Sequence, residues 1–156
     1  LRVDGENFAA APVERILARH PEVVLAAVYA VPDPDVGDLV MTALQLRPGA
    51  TFDPDGFASF LAAQPDLGTK WTPRFVRIAA TLPVTETSKV LKRVLRRDRW
   101  ETDDEVWWQP EKGGAYRRLT VSARRPRVSQ ASPIVFASGL ASAITQTVTM
   151  PPSPSR

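Results

Sequence analysis

The stretch PVTETSKVLKRVLRRDRW, Pro83 to Trp100, gathers the side chains best suited to handling anions. Lys89 closes a Thr-x-Thr-x-Lys spacing (Thr85, Thr87, Lys89) and precedes Lys92, Arg93, Arg96, Arg97 and Arg99. Thr87 or Ser88 can cap a helix with Val90, Leu91, Val94 and Leu95 on its apolar face, which places Lys89 in the first turn. A cation there is disfavoured by about 0.3–1 kcal/mol, because helix amino ends carry partial positive charge. Either the ammonium is solvated and the cost is small, or it faces an anion. The five cations that follow form a charge run of the kind that is usually a solvated helix face.

Two further places can meet a ligand. Gly5 in DGEN lacks a Cβ, so a ligand can approach the backbone, and Glu6 and Asn7 can position backbone or ligand amides. Read without context, the same four residues are an ordinary polar turn before a helix. Arg74 flanks a strand-like run and can reach a phosphate or a neighbouring domain, or simply lie at the surface.

Composition removes whole classes of chemistry. The chain has 156 residues, no cysteine and one histidine, His20. Disulfides, thiolate nucleophiles, Ser–His or Cys–His pairs and histidine-rich metal sites are therefore excluded. Of 20 Lys and Arg, four (Arg124, Arg125, Arg127 and Arg156) lie after residue 121, while all 17 acids precede it. The net charge of +3 thus belongs to the tail, and the rest carries no broad basic field for nucleic acid. Trp100, Trp107 and Trp108 sit among Glu101, Asp103, Asp104 and Glu105, a setting that repels phosphate and points to packing.

These residues need a frame. Pro12 reads as a first helical position, with Val13, Ile16 and Leu17 on one face and His20-Pro21 as the stop. Val23–Val31 and Leu39–Leu46 are apolar runs across a turn-rich loop, an antiparallel pair. Asp53 and Pro54 open a second helix bearing Phe57, Phe60 and Leu61, and Arg74–Pro83 reads as a third strand. The expected fold is α+β: a small mixed or antiparallel three-stranded sheet packed with helices over residues 1–100. Residues 101–121 read as a Trp- and Tyr-containing extension. Residues 122–156, with seven serines, five prolines and no acid, are expected to form a disordered basic tail. Ile134–Met150 is too short and too polar to span a membrane. A chain opening on Leu1, inside a strand-like run, reads as a piece of something longer.

Several of these stretches form an ordered set. RVDGEN, PVERILARHPEVVLAAVYAVPD, TPRFVRI and LPVTETSKVLKRVLR together resemble the C-terminal domain of adenylate-forming enzymes, the acyl-CoA synthetases or fatty-acid–CoA ligases. PRFVRI with T-x-T-x-K is most similar to the long- and very-long-chain, fatty-acid-transport branch, although Ser88 stands where many members have glycine. The resemblance runs from residue 1 to about 120.

That resemblance implies an acid–thiol ligase reaction in two steps. ATP and a fatty acid give acyl-AMP, and CoA then displaces AMP. A large N-terminal domain would hold ATP, its Mg2+ and the acyl chain, and the small domain would rotate between the half-reactions. By the same resemblance Lys89 is the catalytic adenylation lysine, Gly5, Glu6 and Asn7 line the pantetheine channel, and Arg74 is a cofactor-binding candidate. The N-terminal adenylation domain is then the partner, and no specific nucleic acid is expected. A cytoplasmic location follows, with peripheral membrane association as a secondary expectation. The alternative reading is a standalone docking module whose basic tail binds acidic protein, nucleic acid or lipid.

Overall fold

The computed structural model describes residues 2–3, 6–7, 9–33 and 37–120. Strands β1 (Arg2–Val3) and β2 (Glu6–Asn7) pair antiparallel, Arg2 with Asn7 and Val3 with Glu6. Helix α1 (Ala10–Leu17) starts two residues before the expected Pro12 and buries Val13, Ile16 and Leu17. Strands β3 (Val23–Asp33) and β4 (Gly37–Leu46) form the expected antiparallel pair, with Tyr29 opposite Met41 and Ala27 opposite Ala43.

Helix α2 (Pro54–Ala62) opens as read, with the Asp53 carboxylate accepting the Asp55 N–H at 3.1 Å. It links β4 to β5 (Phe75–Ile78), which runs parallel to β4. A helical crossover is what a parallel neighbour requires. Helix α3 (Lys92–Asp98) follows, then β6 (Glu105–Trp108) and β7 (Arg117–Arg118), both antiparallel additions.

The fold is α+β as expected, but the main sheet has five strands in the order β3-β4-β5-β6-β7 instead of three. Residues 101–120, read as an extension, supply β6 and β7 and so lie within the sheet. The reason is visible in the pairing. Val106 lies opposite Arg77 and is fully buried, so removing β6 would strip one flank of β5. Tyr116 secures the end of this segment, donating its hydroxyl to the Pro73 carbonyl at 2.5 Å. The expected disordered tail, with its basic residues, lies outside the described residues.

Period-two alternation along the strands sorts the core into two faces. On one face Val28, Val40, Leu44 and Val76 meet Val13 and Leu17 of α1 and Phe57 and Leu61 of α2. On the other, Ala27, Tyr29, Val31, Met41, Ala43 and Val106 meet Leu95 of α3. Strands buried on both faces read as unbroken apolar runs, which is why VVLAAVYAV, although β3 lies at the sheet edge, and LVMTALQL lack clean alternation. The tryptophans pack as read: Trp100 and Trp108 stack on Phe75, with centroids at 5.0 and 6.5 Å, and Trp107 meets Phe52 at 5.5 Å. Among the described residues, no helix is long and apolar enough to cross a membrane.

Candidate active site

The segment carrying Lys89 leaves β5 after Ile78 and passes Leu82, whose N–H donates to the Gln45 side chain of β4 at 3.2 Å. The chain then folds back on itself. Leu91 N–H donates to the Pro83 carbonyl at 2.8 Å, and Val84 and Val90 form an antiparallel bridge. Inside that base, Thr85 N–H donates to the Lys89 carbonyl at 2.8 Å and Ser88 N–H to the Thr85 carbonyl at 2.9 Å. Lys89 N–H donates to Thr85 Oγ1 at 3.1 Å, and the Thr85 and Thr87 hydroxyls pair at 2.9 Å.

This arrangement corrects the expected third helix. Thr87 and Ser88 do not cap it: α3 begins at Lys92, with Leu91 in the cap position and no side-chain cap bond. Ser88 has φ +61°, a left-handed conformation that a continuing right-handed helix excludes. Thr85 offers the local N–H groups other partners, as short hydroxyl side chains do. Lys89 therefore lies three residues ahead of the helix, and the helix dipole is not what opposes its charge. The side chain is exposed, and among the described residues its ammonium has no ion-pair partner.

Behind the loop, α3 is fixed to both sides of the domain. Lys92 Nζ lies 2.6 Å from Glu14 Oε1, and the same oxygen accepts the N–H of Val28, on the edge strand β3, at 2.7 Å. Glu14 of α1 thus ties α3 to the edge strand. At the other end Asp98 lies 4.0 Å from Arg77 Nη1, while Arg77 Nε donates to Asp104 at 2.6 Å. Of the expected basic face, Lys92 is paired with Glu14 and Arg97 with Asp98, and Arg93 and Arg96 are exposed.

The other expected site residues fall elsewhere. Gly5 lies outside the described residues. Glu6 and Asn7 form β2, the returning arm of the small N-terminal hairpin. Arg74 is half-buried and turned onto its own fold, with Nε donating to the Gln109 carbonyl at 2.9 Å and Nη2 to the Pro110 carbonyl at 2.7 Å. Sequence reasoning assigned no bonding role to Thr85 or Glu14. The Thr85–Lys89 spacing was the available sign of the first.

His20 sits by the α2 face. Its ring meets Phe60 edge-on at 4.9 Å and Phe57 at 5.8 Å, and its Nδ1 accepts the Glu22 N–H at 3.2 Å. Burial lowers its pKa below the ordinary histidine value, with the carboxylates of Glu22 and Asp53 opposing. Folding therefore favours the neutral ring. That contribution is complete above the unfolded-chain pKa and is lost as pH falls through the lowered folded value. As the chain's one histidine, its imidazole resonance is unambiguous. Its NMR titration midpoint should fall below that of the urea-unfolded chain, and an equal or higher midpoint would contradict the burial.

The profile of the AMP-binding enzyme C-terminal domain matches residues 12–89. The medium/long-chain-fatty-acid–CoA ligase FadD17 of Mycobacterium marinum is 57% identical over 107 residues, 69% of this chain and 21% of that protein. Steroid-22-oyl-CoA synthetase of Rhodococcus jostii is 52% identical over 125 residues, 80% of this chain and 22% of that protein. The crystal structure of a Brucella canis acyl-CoA synthetase superposes with a TM-score of 0.58 at 30% identity, covering 64% of this chain and 19% of that one. The amide bond synthetase McbA of Marinactinospora thermotolerans gives 0.56 at 35% identity, covering 65% and 20%. The chain thus spans about a fifth of the length of these relatives. On the profile match, the relatives and the shared fold, this chain belongs to the AMP-binding enzyme C-terminal domain family.

Proposed function

We propose that this chain is the small domain of a fatty-acid–CoA ligase and that Lys89 carries its part of the adenylation step. The observation behind this reading is an exposed ammonium on a backbone closed from both sides, at the lysine of the T-x-T-x-K motif. When a fatty-acid carboxylate attacks the α-phosphate of ATP, negative charge crowds onto oxygens that repel one another. A compact ammonium with three donors can bridge both anions, and a preorganised charge is worth most in a water-poor site. Such a site forms only when a second domain covers the loop.

Gly5, Glu6 and Asn7 are assigned to the pantetheine channel used by CoA in the second half-reaction. Arg74, two of whose donors serve backbone carbonyls, is assigned to holding the loop after β6. Mg2+ is assigned, with ATP, mainly to the large domain.

The test is reconstitution. The isolated chain should show no ATP–pyrophosphate exchange with fatty acid. Fused to the large domain of Mycobacterium marinum FadD17, it should support exchange and acyl-CoA formation. Robust exchange by the chain alone, or a fusion that folds but never forms acyl-AMP, would overturn the reading.

A further inference from the structure

We infer that Thr85 is the positioning residue for Lys89, an inference that rests on the adenylation role proposed above. One residue grips the lysine backbone on both sides. Thr85 N–H donates to the Lys89 carbonyl at 2.8 Å, and Thr85 Oγ1 accepts the Lys89 N–H at 3.1 Å. The Thr85 carbonyl also takes the Ser88 N–H at 2.9 Å, so both residues before α3 that shape the turn answer to it. Its hydroxyl pairs with the Thr87 hydroxyl at 2.9 Å, and whichever of the two donates, a Thr85 lone pair is left to receive Lys89.

These bonds act against a local preference. Ser88 holds a left-handed φ of +61°, which a residue with a Cβ disfavours and which persists only when its surroundings fix it. The Val84–Val90 bridge closes the base of the loop, but nothing beyond that base fixes the Lys89 backbone except Thr85, among the described residues. A lysine side chain has four rotatable carbons, so its ammonium is aimed only if its Cα is fixed. A misplacement on the order of 1 Å can cost about 10²-fold in rate.

Thr85→Val keeps the β-branched shape and removes the acceptor, and Thr85→Ser keeps the acceptor. In the fusion to the FadD17 large domain, Thr85→Val should lower kcat for acyl-adenylate formation by about 10-fold, part of that positional limit. KM for ATP and fatty acid should stay within about twofold, and thioester formation from preformed acyl-adenylate should be unchanged, because only the aim of one transition-state contact is lost. Thr85→Ser should restore most of the rate. In the 156-residue chain, Thr85→Val should speed amide hydrogen exchange at Lys89 while β3, β4 and β5 keep their protection.

Normal adenylation by Thr85→Val would overturn the inference, as would unchanged exchange at Lys89 or an equal loss in Thr85→Ser. Lys89→Ala separates the two levels. If that variant adenylates at full rate, the role of Lys89 falls. If it is crippled while Thr85→Val is normal, only the positioning role falls.

Discussion

Lys89→Ala in the FadD17 fusion is expected to lower acyl-adenylate formation by about 10²–10³-fold, the range for removing one preorganised donor from a developing charge. It should leave the stability of the small domain within about 0.5 kcal/mol, as for surface changes that touch nothing structural. The separation of these effects follows from the geometry. The side chain is exposed, and the bonds that close the turn use the Lys89 backbone, which alanine retains. Thioester formation from preformed acyl-adenylate should be spared, since no carboxylate meets a phosphate in that step. Lys89→Arg should recover little, because a planar guanidinium does not replace a point charge between two anions. Quantifying acyl-AMP and acyl-CoA separately, alongside a urea melt, reads all three. An equal loss in both half-reactions would mean that the lysine serves domain docking, not chemistry.

Much of this geometry was written in residue types that have few conformational choices. Asp53-Pro54 fixed the start of α2, and the apolar runs flanking PDPDVGD fixed the β3–β4 pair. Two parts were hidden for different reasons. Thr87 and Ser88 have the chemistry of helix caps, so propensity alone starts α3 too early. Closure of the turn decides instead: the Val84–Val90 bridge and the Leu91–Pro83 bond form before the helix can begin. Strands β6 and β7 are four and two residues long, and acids and glycines surround them. Their order comes from β5, which needs a partner on its free edge, and a single short segment cannot announce that need. Lys89, the lysine proposed for adenylation, was marked out in the sequence by its motif. What holds its backbone was not, because the N–H and hydroxyl of Thr85 meet Lys89 only once the turn has folded.

Leu95→Ala carries the second large effect, a loss of about 2–5 kcal/mol, the usual range for a buried leucine truncated to alanine. Helix α3 has seven residues and no side-chain cap, so it has almost no stability of its own. Three anchors hold it, and their magnitudes differ. The Lys92–Glu14 pair joins a lysine side chain 36% exposed to a glutamate 22% exposed, and partly solvated pairs of this kind contribute about 0–1 kcal/mol. The Asp98–Arg77 contact is long, at 4.0 Å. Leu95 is fully buried among Ala27, Tyr29, Val31, Met41 and Val106, so it is the dominant anchor. Its truncation should release α3 before the rest of the domain. Amides of residues 92–98 should lose protection first, and the loop base at Leu91 should loosen with them. Adenylation by the fusion should then fall although Lys89 is intact, and lower temperature should recover part of it. Urea unfolding with residue-resolved hydrogen exchange checks the order of events. A loss below about 1 kcal/mol with α3 protection unchanged would be far under the range for a filled core site, and would place the anchoring of the Lys89 loop elsewhere.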